Sequence, residues 1–180
     1  MTDPYRILAI DPGPTFSAFV LLEGPAIKAY GKWANQDIRV MLLSAAHRGQ
    51  IVIEEVRSYG MPVGIEVFDT VRWSGRFQEI AEARGIGVAL LPRQKVKLHH
   101  CHSVKANDPA IRQAIVDRYG GDSVALDGKL CGRAKAKSHG AGCPICHGSG
   151  WERAPGPLAG ISKDVWAALA LGLAWMEGAR

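Results

Sequence analysis

Hydrophobic residues in the first part of the chain fall into three short runs separated by turn-forming residues. The runs cover residues 5–10, 16–22 and 27–33, and prolines and glycines lie in both gaps between them. Short apolar runs bounded by proline and glycine are typical of β-strands joined by tight turns. The pattern predicts an antiparallel meander of three strands at the start of the chain.

Farther along the chain, segments with helical spacing of hydrophobic residues alternate with short strand-like runs. Helices are predicted at 35–47, 65–85, 95–101, 107–119 and 163–176, and strands at 51–53 and 87–91. Asn35, Asn107 and Ser162 stand where three of these helices begin, so their side chains are expected to cap free backbone N–H groups. Residues 120–160 are rich in Gly, Lys, Arg, Cys and Pro and show little apolar periodicity.

The order of these elements predicts an α/β fold. Three meander strands and two strands reached through helices give a mixed five-stranded sheet flanked by helices. A chain of 180 residues is long enough for one ordinary domain and too short for two full lobes. We therefore expect one domain over residues 1–180, with residues 120–160 as an insertion before the C-terminal helix.

The composition, with 47% hydrophobic and 22% charged residues, is that of a globular protein. The formal net charge of +5 favours a polyanionic partner, although a modest excess of Lys and Arg is also common in proteins without one. No secretory leader pattern opens the chain, and no apolar run reaches the roughly eighteen residues that a membrane span requires. The expected location is the cytoplasm.

Three carboxylates stand where predicted strands end and where the last helix begins. Asp11 follows the first strand, Glu54 follows the fourth, and Asp164 lies in the first turn of the last helix. Each acid also has an ordinary structural explanation. Asp11 is typical of a turn before Pro-Gly, Glu54 is typical of a solvated strand end, and Asp164 is favourably placed near the positive end of a helix dipole. If the first and fourth strands are parallel, however, Asp11 and Glu54 emerge at the same end of the sheet. Together the three acids provide the hard oxygen ligands that Mg²⁺ or Mn²⁺ needs for two-metal phosphodiester hydrolysis.

The segments that carry these acids resemble the three acidic motifs of RuvC-type Holliday junction resolvases. They read ILAIDPG at 7–13, VIEEV at 52–56 and SKDVWAALAL at 162–171. A more specific resemblance, to the RuvC-like resolvases of bacteriophages and prophages, is carried by residues 58–64, 66–68, 75–77, 93–97, 105–108 and 112–119. The resemblance implies an RNase H-like fold, a homodimer, Mg²⁺ or Mn²⁺ at Asp11, Glu54 and Asp164, and paired nicks across a four-way DNA junction.

One position departs from the pattern of this family. Many members carry a second acid one turn after the first in the last helix, and this chain has Ala167 there. Either three carboxylates suffice, or a residue from elsewhere completes the second metal site.

Basic residues in the second half of the chain predict contacts to DNA phosphates, with a solvated basic face as the alternative. Lys95, Lys97 and Lys105 lie in the segments that resemble the resolvases. Tyr59, on the loop after Glu54, is expected to stack or wedge at the centre of a junction, although a loop aromatic is as often packed locally.

Cysteines in the insertion predict a structural zinc site. Cys143 and Cys146 form a C-x-x-C knuckle followed by glycines, and Cys131 and His139 supply two further ligands. His147 is an alternative to His139. A loop with free thiols and a redox switch are the other interpretations of this segment.

Two other functions fit parts of the sequence. Residues 11–15, DPGPT, resemble the phosphate loop of actin-like and hexokinase-like ATPases, but those proteins need a second lobe that this chain is too short to form. A non-catalytic protein that binds branched DNA through its basic face and zinc segment is the second alternative, and Ala167 gives it weight. The prediction is a metal-dependent endonuclease for four-way junctions or related branched DNA.

Overall fold

The computed structural model describes residues 6–44, 49–58, 60, 62–127, 129–130, 151–153 and 155–179. The chain divides into two compact units, Met1–Ile111 with Ser162–Arg180, and Arg112–Ile161. In chain order the elements are β1 (Arg6–Asp11), β2 (Phe16–Glu23), β3 (Ala26–Ala34), α1 (Asn35–Ser44), β4 (Gln50–Glu55), α2 (Ile65–Ala83), β5 (Val88–Pro92), α3 (Arg93–Cys101), α4 (Asp108–Arg118), α5 (Asp122–Ala125), β6 (Lys129–Leu130), β7 (Trp151–Arg153) and α6 (Lys163–Met176).

A five-stranded sheet of order β3-β2-β1-β4-β5 forms the first unit. Strands β1, β2 and β3 pair antiparallel, and β4 pairs parallel with both β1 and β5. This is the predicted mixed sheet. Its register places Ile10 beside Ile53, so the next residues, Asp11 and Glu54, leave the sheet at the same end.

Each face of the sheet is covered by helices because both alternating sets of strand residues are apolar. Leu8 and Ile10 of β1, Phe19 of β2 and Ile53 of β4 form a buried cluster with residues of α1 and α2, including Phe77. Burial of each such side chain contributes roughly 1.5–3 kcal/mol. Burial of this face fixes the register of the central strands.

Helix α6 packs on the opposite face of the sheet. A Cβ atom placed on Gly172 would lie 2.9 Å from Leu22 Cδ1 and 3.0 Å from Ala9 Cβ, so glycine lets this apolar helix approach β1 and β2 closely. Ala9 and Asp11 are two positions apart on β1 and therefore project from the same face. The approach of α6 thus brings the start of the helix, with Asp164, over the end of β1.

The second unit contains regular structure that the sequence pattern did not predict. It holds the short helix α5 and an antiparallel pair, β6 and β7, in which Lys129 faces Arg153. The backbone N–H of Leu158 donates to the carbonyl oxygen of Ala125 at 2.9 Å, and both residues are buried. Residues 120–160 therefore include ordered elements with their own buried apolar residues.

Two of the predicted helix caps differ in the structure. Asn107 does cap α4, since its Oδ1 accepts from the backbone N–H of Ala110 at 3.0 Å. Ser162 stands at the N-cap position of α6 without a side-chain cap bond. Asn35 is the first residue of α1, but its side chain bonds to Ser17 of β2 and to Gly13 in the loop after β1 instead. Helix α3 also begins earlier than predicted, at Arg93.

Within the described part of the chain, no helix is both long and apolar enough to cross a bilayer.

Candidate active site

We use the name carboxylate edge for the end of the sheet where β1 and β4 finish, together with the first turn of α6. Asp11 ends β1, Glu54 lies one residue before the end of β4, and Asp164 is the second residue of α6. Glu54 and Asp164 are both close enough to Asp11 to act on it electrostatically. The structure therefore places the three acids that the sequence singled out at the same edge of the sheet, with Glu54 and Asp164 each near Asp11.

Asp11 is the acid most strongly affected by these surroundings. Burial, together with the negative charges of Glu54 and Asp164 and against the opposing effect of Arg93, raises the pKa of Asp11 from 3.8 to about 7. Its carboxylate makes no hydrogen bond or ion pair with any residue that the structure describes. Within the described part of the chain, an ionised Asp11 thus lacks a direct positive partner.

Glu54 is also largely buried, but it has a basic partner. Burial raises the pKa of Glu54, and Arg93 opposes that shift through its charge and a hydrogen bond from Nη1 to Oε2 at 3.2 Å. The other guanidinium nitrogen, Nη2, donates to Asp108 Oδ1 at 2.6 Å. Arg93 therefore joins the buried Glu54 to an exposed acid in the first turn of α4.

Asp164 has a basic partner on the edge strand of the sheet. Lys32 Nζ lies 2.7 Å from Asp164 Oδ2, and both side chains are about half exposed. Lys32 pairs with Ala18 in the β2–β3 ladder, so it belongs to the same end of the sheet as Asp11, which pairs with Ala18 in the β1–β2 ladder. Lys32 and Asp108 were not predicted as site residues.

Do these residues suit a divalent cation? Among the described residues, no three His, Cys, Asp or Glu side chains converge as a ready metal-binding group. Two of the acids are instead in contact with basic side chains, Asp164 with Lys32 and Glu54 with Arg93. Carboxylate oxygens are nevertheless the ligands that Mg²⁺ and Mn²⁺ prefer, and Asp11 is a buried carboxylate with excess negative charge around it. The donor chemistry fits a divalent cation.

A buried hydrogen-bond network holds the loop that follows Asp11. The Ser17 hydroxyl donates to Asn35 Oδ1 at 2.6 Å, and Asn35 Nδ2 donates to the carbonyl oxygen of Gly13 at 2.9 Å. The backbone N–H of Asn35 also donates to the carbonyl oxygen of Thr15 at 2.9 Å. These contacts fix the turn at residues 12–15 and so the direction in which β1 presents Asp11.

Replacing Asn35 with alanine should destabilise the protein by about 1–3 kcal/mol, because the buried Ser17 hydroxyl and the Gly13 carbonyl lose their partner. Urea unfolding measures the loss. Asn107→Ala is a suitable control, since it removes an exposed helix cap worth about 1 kcal/mol. A cost for Asn35→Ala no larger than that of the control would contradict the role given to the network.

The predicted DNA-binding lysines lie on or near α3. Lys95 and Lys105 are exposed, and Lys97 is partly buried and close enough to Glu54 to lower its pKa. Of the three, Lys97 is therefore the one linked to the carboxylate edge. Tyr59 lies outside the described residues, as do all the candidate zinc ligands: Cys131, His139, Cys143, Cys146 and the alternative His147.

The fold is similar to that of RuvC from Thermus thermophilus. One RuvC structure aligns with a TM-score of 0.60 and 15% identity, over 94% of this chain and 92% of that chain. A second, T. thermophilus RuvC in complex with a Holliday junction substrate, aligns with a TM-score of 0.60 and 14% identity over 94% and 91% of the two chains. The predicted RNase H-like, RuvC-like fold is therefore confirmed. The sequence itself matches no protein-family model and no curated protein.

Proposed function

We propose that this protein is a structure-selective DNA endonuclease that resolves four-way junctions, or related branched DNA, by metal-dependent phosphodiester hydrolysis. The observation that carries the proposal is the carboxylate edge. Asp11 and Glu54 leave adjacent parallel strands at one end, and α6 brings Asp164 to the same place, on a fold shared with a RuvC that is known in complex with a Holliday junction. Fold alone does not define function, so the site is the stronger support.

In this proposal Asp11, Glu54 and Asp164 hold Mg²⁺ or Mn²⁺. Bound there, the cation would lower the pKa of an attacking water and stabilise negative charge on the phosphate oxygens. Asp11 is set in place by the Ser17–Asn35 network, and Arg93 keeps the Glu54 side chain directed along the carboxylate edge.

The basic residues are the reason for proposing a nucleic acid as the substrate. Lys95, Lys97 and Lys105 are proposed to contact phosphates beside the carboxylate edge, and the net charge of +5 favours this partner. Tyr59 is proposed to stack at the junction centre.

The resemblance of the sequence to resolvases of phages and prophages extends the proposal in three ways. Two copies of the chain would act as a homodimer and nick opposite strands of one junction, which gives paired cuts. The enzyme would work in the cytoplasm of a bacterium or of a phage-infected cell, where such DNA is present. Residues 120–160 would bind a structural Zn²⁺ through Cys131, His139, Cys143 and Cys146.

Incubation of the protein with labelled DNA of several shapes, in Mg²⁺ or Mn²⁺, tests the proposed function. We expect paired, symmetric nicks in a four-way junction and no cleavage of a linear duplex of the same sequence. Equal cleavage of flaps and forks would point to a general branched-DNA nuclease. Junction binding without cleavage in either metal would instead favour a non-catalytic DNA-binding protein, an alternative to which Ala167 gives some support.

A further inference from the structure

Helix α6 offers a cation one carboxylate, at Asp164, whereas a site built from four carboxylates would have two on this helix. Asp164 and residue 167 are three positions apart, so they lie on the same face of the helix one turn from each other. Position 167 is an alanine, whose methyl group cannot bind a metal. Asp164 is therefore the acid that remains on this face near the carboxylate edge, and it is already in contact with Lys32.

We infer that Lys32 supplies the positive charge that a second cation would otherwise provide beside Asp164, so that this site binds one divalent cation, held chiefly by Asp11 and Glu54. The inference rests on the proposed function and specifies how the site is charged. Lys32 acts through Asp164 and is in this sense a positioning residue. The ammonium group of Lys32, held at this point, can also attract phosphate oxygens directly, without a second bound cation.

The balance of charges at the carboxylate edge supports a single cation. The charged groups are four carboxylates and two basic side chains: Asp11, Glu54, Asp164, Asp108, Lys32 and Arg93. With all of these six groups ionised, as a bound cation would require of its carboxylate ligands, their net charge is −2, and Lys97 near Glu54 reduces it to −1. One divalent cation therefore already compensates the negative charge of the protein. A second divalent cation would leave the protein side of the site strongly positive before any substrate binds.

The position of Lys32 in the fold makes its contact with Asp164 a consequence of the sheet register. Lys32 lies on β3 opposite Ala18, and the β3–β2–β1 ladders set its distance from the end of β1. The ion pair itself is half exposed, and such pairs contribute little to stability. The exclusion of a second cation therefore comes from the missing ligand at Ala167 and the like charge of Lys32, and does not need a strong salt bridge.

Counting the bound Mn²⁺ ions per chain tests this inference directly. Protein freed of metal with EDTA and then dialysed is titrated with Mn²⁺, and free Mn²⁺ is measured by electron paramagnetic resonance. The wild type should bind one Mn²⁺ per chain. In an Ala167→Asp background, which restores the fourth carboxylate, Lys32→Met should strengthen binding of a second Mn²⁺ by at least about tenfold, because a like charge is removed.

Two further variants separate the charge of Lys32 from its bulk and from a general loss of charge. Lys32→Arg keeps the positive charge and should leave the second Mn²⁺ as weakly bound as in Ala167→Asp alone. Lys28→Met removes a lysine of the same strand that pairs with Glu23 at 3.5 Å, and it should also have no effect. Melting curves in EDTA check that each variant is folded.

The outcomes distinguish the inference from the proposed function. Two Mn²⁺ ions on the wild type, with junction cleavage intact, would overturn the inference and leave the proposed function standing. Unchanged binding of the second Mn²⁺ after Lys32→Met in the Ala167→Asp background would overturn it as well. No bound Mn²⁺ on the wild type would overturn both the inference and the metal-dependent function.

Discussion

Replacing Asp11 with asparagine should lower the rate of junction cleavage by at least about a thousandfold while junction binding is retained. Asparagine keeps the shape of the side chain but removes the charge of Asp11, the acid at the centre of the carboxylate edge on which both Glu54 and Asp164 act. Stabilisation of transition-state charge by a metal is worth several kcal/mol, and each 1.4 kcal/mol corresponds to a factor of ten in rate. Single-turnover cleavage of a labelled junction measures the rate, and a gel-shift assay measures binding.

Asp69→Asn is a matched control for this variant. Asp69 is a partly exposed acid of α2 that pairs with Arg72 at 2.8 Å and is not among the charges named as acting on Asp11 or Glu54, so its loss should leave cleavage unchanged. An Asp11→Asn protein that retains more than about a tenth of wild-type activity would rule out Asp11 as a principal ligand.

The same Asp11→Asn variant should be more stable than the wild type when no metal is present, by roughly 2–4 kcal/mol at pH 8. Burial raises the pKa of Asp11 from 3.8 to about 7, so the folded protein favours the protonated acid. The corresponding contribution to stability is complete below pH 3.8 and is lost as the pH rises through 7. Asparagine cannot ionise and avoids that loss. Urea unfolding in EDTA at several pH values measures the difference.

The pH dependence of this gain is its diagnostic feature. The advantage of Asp11→Asn should be largest at pH 8 and should shrink as the pH falls from 7 towards 4. Saturating Mn²⁺ should reduce or reverse it, because the cation stabilises only a protein that can bind it. A gain that does not vary with pH, or a loss of stability at pH 8, would show that burial of the Asp11 charge is not costly.

The arrangement of the sheet and the positions of the three acids were predictable because they depend on local patterns. Runs of apolar residues bounded by Pro and Gly define β1, β2 and β3, and the apolar stretch after Ser162 defines α6 with the predicted ends. Asp11 and Glu54 stand where such strands end. Only the parallel pairing of β1 with β4 was needed to bring them together, and helix crossovers favour that pairing.

The basic partners of the acids were not predictable, because their contacts join distant parts of the chain. Lys32 is 132 positions from Asp164, and their contact depends on the register of β3 and the seating of α6. The alternation of β3 indicates only which face Lys32 occupies. Asp108 resembled an ordinary first-turn acid of α4, and nothing local indicates that Arg93 links it to Glu54.

Asn35 illustrates a second limit of local patterns. An asparagine before a helical segment is typical of an N-cap, and this was the prediction. In the structure both polar atoms of its side chain are used by Ser17 and Gly13, which precede it by 18 and 22 positions. The long-range contacts are buried and replace the local one. These contacts hold the loop next to Asp11.

Metal-dependent cleavage at the carboxylate edge is tested most directly by removing and restoring the cation. Protein treated with EDTA is mixed with a labelled four-way junction, and cleavage is followed before and after addition of Mg²⁺ or Mn²⁺, with Asp11→Asn in parallel. We predict paired, symmetric nicks that appear only after the cation is added and only in the wild type. Cleavage that persists in EDTA, cleavage that is equal in Asp11→Asn, or junction binding with no cleavage in either metal would contradict the proposed function.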